Sequence, residues 1–77
     1  MLYYLYLKKQ IAPGKTDYFT LTSINHDESI QPGMTFIFDP ISIHNIEREH
    51  PELRGMQRAY RVVNVYECDG MGGVTLE

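Results

Sequence analysis

A chain of 77 residues has room for one small domain, and its single cysteine, Cys68, excludes an internal disulfide as a brace. Residues 1–77 are therefore read as one domain with a margin of about 3–5 kcal/mol, a regime in which oligomers and partners often add support. The net charge of −3 and pI near 5.5 argue against sequence-independent binding to DNA or RNA, which depends on neutralising phosphates.

The first apolar run, residues 2–10, is apolar on both sides. Leu2, Tyr4 and Tyr6 share one side of a strand, and Tyr3, Leu5 and Leu7 share the other. A strand on the outside of a small sheet should alternate apolar with polar. This one has two faces to hide, more than so short a chain can readily cover. Pro13-Gly14 then fits a tight turn, and DYFTLTSIN, residues 17–25, returns as the second strand of an antiparallel hairpin.

Residues 25–33 are polar and rich in turn formers. MTFIFDP comes next, with Phe36 and Phe38 on one side as the expected centre of the core. Pro40 stops regular pairing, because it lacks an N–H. From about residue 40 to 58 the chain predicts a long charged loop, lid-like, with Ile41, Ile43 and Ile46 tucked against the sheet. A single helical turn is expected near 51–55, entered at Pro51 and closed at Arg54-Gly55. A helix over residues 42–54 on an open antiparallel sheet is the alternative. AYRVVNVYE, residues 59–67, is the fourth strand, with Val63 and Val65 on one side and Tyr60, Val62, Asn64 and Tyr66 on the other. Asp69-Gly70 marks a corner, GMGG a flexible turn, and GVTLE a short closing strand. Together these elements predict an all-β domain, a small five-stranded antiparallel barrel of SH3-like or OB-like architecture, because closure removes exposed edges.

Chemical motifs are sparse. His44, Glu47 and His50 suggest a metal set, but six residues on a helix carry the two histidines about 240° apart. His26-Asp27-Glu28 reads as a solvated turn, and adjacent carboxylates point apart. GMGG lacks the lysine and following helix of a phosphate loop, and no serine sits in a nucleophile elbow. Cys68, flanked by Glu67 and Asp69, reads as a part-buried strand residue rather than a reactive thiol. No stretch approaches the ~20 apolar residues of a membrane helix. The N-terminus lacks the order of a signal peptide, so a soluble cytoplasmic protein is expected.

No catalytic residue, metal or cofactor is therefore assigned. The expected role is a protein-interaction module: a homodimer, or a small subunit or inhibitor of a larger protein, of the size common among phage and plasmid accessory products. Leu2, Tyr3, Leu5 and Leu7 are the expected docking residues, with Arg48, Arg54 and Arg58 adding charged contacts. A small nucleic-acid-binding barrel is the alternative, recognisable if Lys8, Lys9, Lys15 and Arg61 converge around exposed tyrosines. A small metal protein or enzyme is a third.

Overall fold

Two hairpins form where turn chemistry places them. The computed structural model describes residues 1–77, and just over half of them are strand. Strands β1 (Leu2–Ala12) and β2 (Lys15–Asn25) pair across Pro13-Gly14, with Gly14 at φ +71°. Strand β3 (Thr35–Ile37) is short, and β4 (Ala59–Cys68) pairs with β5 (Met71–Leu76). Between β4 and β5 both Asp69 and Gly70 have positive φ, as a two-residue type I′ turn requires.

The sheet order is β2-β1-β5-β4-β3. Its central pair, β1 and β5, is parallel, from Leu2 opposite Met71 to Leu7 opposite Leu76. The expected closed antiparallel barrel is thus corrected to a mixed sheet curled into a half-barrel, with β2 and β3 as its edges. A parallel pair needs a long crossover between hairpins. Residues 26–58 supply it.

That crossover is also not the long loop expected. Helix α1 spans Pro40–Glu49, and a 3-10 turn spans Pro51–Leu53. Asp39 caps α1: its carboxylate accepts from the Ser42 N–H at 2.8 Å and from the Ser42 hydroxyl at 3.0 Å. Pro40 occupies the first turn, where its missing N–H costs nothing. The residue expected to end a strand therefore opens a helix. Ile46 is buried and Ile43 half-buried, but Ile41, expected to tuck inward, is 74% exposed. Glu47 ties the helix to the segment after the 3-10 turn by accepting from the N–H groups of Gly55 and Met56. The turn entered at Pro51 forms as expected and buries Leu53.

The core lies between the helix and the sheet. Tyr3, Leu5 and Leu7 meet Val74 and Leu76 from β5, Val62 from β4, Leu21 from β2, and Ile30, Phe38, Ile46 and Leu53 from the crossover. The expected aromatic pair is present, with Phe36 and Phe38 edge to face at 4.8 Å. Only Phe38 is buried, however, and the most enclosed residues belong to β1 and β5. Bulges adjust the alternation. An extra residue in β2, opposite the Leu5–Tyr6 step, lets Leu21 and Ile24, three apart, both pack on the core. A second shift, between Val62 and Asn64, places Val62 and Val65 together against the core, overturning the expected pairing of Val63 with Val65.

Candidate functional site

Alternation along β1 sends Tyr3, Leu5 and Leu7 under the helix, at 1%, 0% and 4% exposure. This corrects their expected place on a docking face: a partner has no access to them. Of the expected apolar docking residues, Leu2 alone faces outward, with Tyr4 and Tyr6. The strand that had two faces to hide has one hidden face and one open one.

Strand registers define that open side. Asn25, Leu2, Met71 and Cys68 form one row across β2, β1, β5 and β4. Ser23, Tyr4, Gly73 and Tyr66 form the next, and Thr20, Tyr6, Thr75 and Asn64 the third. These three rows contain no charged side chain. Charge enters at the two ends: in a fourth row, Tyr18, Lys8, Glu77 and Arg61, where Lys8 and Glu77 pair at 3.8 Å, and at Asp69 beyond Cys68. Tyr18, Tyr66 and Met71 are each about half exposed.

Two adjacent glycines organise the two sides, and neither belongs to a flexible turn as expected. Gly72 and Gly73 lie within β5 and are buried. On the core side a Cβ at Gly72 would stand 2.5 Å from Tyr3 Cδ1, so the Tyr3 ring occupies that space. The Tyr3 hydroxyl donates to Glu67 Oε1 at 3.3 Å and accepts from the Ile30 N–H at 3.4 Å, so a buried phenol has both partners. On the open side a Cβ at Gly73 would fall within the Tyr66 ring. Tyr66 therefore lies across the sheet, with one ring face on the glycine backbone and the other available to solvent. The Tyr6 phenol is raised above 10.0, first by hydrogen bonding with Tyr66, then by burial, then by the charges that Tyr66 and Tyr4 would carry.

The three arginines lie elsewhere. Arg48 and Arg54 line a depression of about 280 Å³ with His44 and Glu47 on the helix side. The Arg58 guanidinium reaches the Phe38 carbonyl at 3.5 Å. The fold therefore does not join these arginines to Leu2 in one surface. Another depression, about 230 Å³, has Leu7, Leu53 and Met56 among its apolar lining and Lys8, Lys9, Arg54 and Glu77 among its charged residues. The charges there are mixed, and apart from the Tyr3 phenol no polar or charged side chain in the molecule is buried.

His44, Glu47 and His50 do not converge. His44 is exposed, Glu47 holds Gly55 and Met56, and His50 Nε2 donates to the Thr20 carbonyl at 2.8 Å while its ring meets Phe19 edge on. Nowhere do three His, Cys, Asp or Glu side chains assemble as a metal set. His26 closes a local turn through Nδ1 and the Glu28 carbonyl. Cys68 is a strand residue as expected, but exposed rather than part-buried. No helix is long and apolar enough to cross a membrane.

The residues that sequence reasoning left out of the docking set are Tyr4, Tyr6, Tyr18, Tyr66 and Met71. The period-two grouping of Leu2, Tyr4 and Tyr6 was visible. What was missing was which group faced inward, and that β4 and β5 extend the same side. Comparison with protein-family models, curated proteins and solved structures finds no match.

Proposed function

We propose that this chain is a non-catalytic protein-interaction module that docks through the open side of its sheet. The observation that carries the reading is the block of three uncharged rows, with Tyr4, Tyr6 and Tyr66 inside it and charge confined to its ends. Interface centres have this composition: charged residues are depleted, and tyrosine and methionine enriched, with polar groups at the rim. An ordinary solvated antiparallel sheet face carries charges among its outward residues. A cytoplasmic setting belongs to the same reading, since an exposed free thiol such as Cys68 stays reduced there. The non-catalytic part is supported by a buried set whose one polar group is the Tyr3 phenol, held by Glu67 and the Ile30 N–H, because catalytic acids and bases usually owe their tuning to burial.

The test is a pair of substitutions in the full chain, each checked for fold by circular dichroism. In cell extract the chain is expected to elute in a complex larger than itself. Tyr4→Arg is expected to return it to its free size, and Arg48→Glu on the helix side to leave the complex intact. If both or neither release it, the open side is not the docking surface.

A second reading has one observation in its favour: Lys8 lies beside exposed Tyr18 in the fourth row, which Arg61 closes on β4. Basic groups beside stacking rings suit single-stranded nucleic acid. Lys9 lies in the opposite alternation, Lys15 sits at the hairpin tip, and Glu77 stands close to Lys8, so the basic set is dispersed. A salt titration with single-stranded oligonucleotides decides it. Affinity that falls steeply with salt supports nucleic acid, and none at low salt removes it.

A further inference from the structure

We infer that the occupant of the open side is a second copy of this chain, packed sheet against sheet with its strands running the opposite way. The inference rests on the proposed docking role and adds the identity and orientation of the partner.

Its basis is a charge polarity along the strands. On the open side, at the end where β1 meets the β1–β2 turn, lie Lys8 and Arg61 in the fourth row and Lys15 at the hairpin tip, with the Glu77 carboxylate paired to Lys8. At the other end the Asp69 carboxylate stands 3.7 Å from Cys68 Sγ in the first row, and Asp27 and Glu28 follow β2, beside the α-amino group of Met1, which donates to the His26 carbonyl. The uncharged rows separate the two ends. A face-to-face pair has its twofold axis in the contact plane. If that axis ran along the strands, each end would meet its own like. If it runs across them, the basic end of each copy meets the acidic end of the other, at both ends of the contact.

Strand β4 and the turn that follows it supply a specific pair. Arg61 and Asp69 stand at opposite ends of the open side, and neither forms a salt bridge within its own chain. An axis crossing β4 between Asn64 and Tyr66 lays the fourth row of one copy over the first row of the other, so Arg61 meets Cys68 and the Asp69 carboxylate 3.7 Å from its Sγ, twice. The same axis crosses β1 between Tyr4 and Tyr6, since Tyr4 lies level with Gly73 and Tyr66, and Tyr6 with Thr75 and Asn64. Tyr4 then meets the other copy's Tyr6 across a sheet spacing of about 10 Å, which two facing layers of side chains fill.

Size sets the expected strength. Four strands at about 4.8 Å and seven residues at about 3.3 Å give a footprint of roughly 400 Å². A standard interface buries about 800 Å² per partner, so this contact, with about half that, is expected to be weak and transient.

The experiment uses the full chain. Sedimentation of purified protein over a rising concentration series should show a monomer–dimer equilibrium. Arg61→Glu should weaken it roughly tenfold or more, by facing Asp69 with a like charge. Adding Asp69→Asn, which suits the positive φ at that position, should recover most of the loss. A photo-crosslinking phenylalanine in place of Tyr4, or of Tyr18 if that chain does not fold, should yield in cells an adduct of twice the chain's mass. A monomer throughout, or a dimer indifferent to Arg61→Glu, overturns the proposed pair. An adduct to a different protein overturns the second copy and leaves the docking role standing, whereas absence of any protein adduct overturns both.

Discussion

Tyr3 and Tyr4 are neighbours of the same type, and each shares a register level with a neighbouring glycine of β5, Gly72 and Gly73 respectively. Tyr3 lies over its glycine under the helix and is 1% exposed. On the other side the glycine is covered by Tyr66, which is 54% exposed, and Tyr4 stands beside it at 37%. The same pairing of ring and glycine thus serves as core on one side and as surface on the other. What separates them is the layer beyond: Ile30, Phe38, Ile46 and Leu53 cover one side, and no element of the chain covers the other. A tyrosine on this sheet is structural or available according to where the crossover passes.

The largest test of that contrast sets Leu5 against Tyr4. Leu5→Ser removes a fully buried side chain and leaves a hydroxyl in its place, at a cost of at least ~3 kcal/mol. Against a margin of about 3–5 kcal/mol, most of the folded state should be lost, as read by chemical denaturation. Tyr4→Ser should stay within about 1 kcal/mol of the parent. Equal losses would mean that both sides are core.

The glycines give a finer test. In Gly72→Ala the new methyl meets the middle of the Tyr3 ring, which is enclosed and cannot retreat, so a cost of roughly 2 kcal/mol or more is expected. In Gly73→Ala it meets the far end of Tyr66, which can swing into solvent, so the cost should be about 1 kcal/mol or less. The same pair of thermal melts checks both, and the reverse order would contradict the assignment of sides.

A smaller effect concerns the helix that does the covering. The Ser42 N–H, and then its hydroxyl, hold the Asp39 carboxyl below its ordinary 3.8. A lowered value means that Asp39 stabilises the fold above that pH and loses this effect as pH falls below 3.8. Asp39→Ala should therefore lower the melting temperature at neutral pH, and the difference from the parent should shrink in acid. A constant difference would remove the cap from the account.

The smallest effect belongs to the open side. With its phenol raised above 10.0, Tyr6 contributes stability that is complete below pH 10 and is lost as pH rises through its folded value. Ultraviolet titration of the phenols should show one late group, and Tyr66→Phe should bring it earlier. No change in the titration would mean that the two hydroxyls do not interact.

Local chemistry sufficed for the local features. Pro13-Gly14 and Asp69-Gly70 specify tight turns because few residues tolerate positive φ, and Pro51 opens a helical turn because its missing N–H is not needed there. Five strands and the two sides of β1 were legible from alternation alone. Asp39-Pro40, with Ser42, was also a legible helix start, but the strand reading of Phe36 and Phe38 ran across it. Alternation cannot say which side of a strand is inside, because that depends on non-local pairing. The parallel docking of β5 on β1, the bulges that turned Leu21 and Val62 inward, and the route of the crossover came only with the assembled sheet. The sequence by itself determined that β1 has two apolar sides; tertiary structure decided that Tyr3, Leu5 and Leu7 are enclosed while Leu2, Tyr4 and Tyr6 stay open, because one helical layer can cover only one side of a sheet.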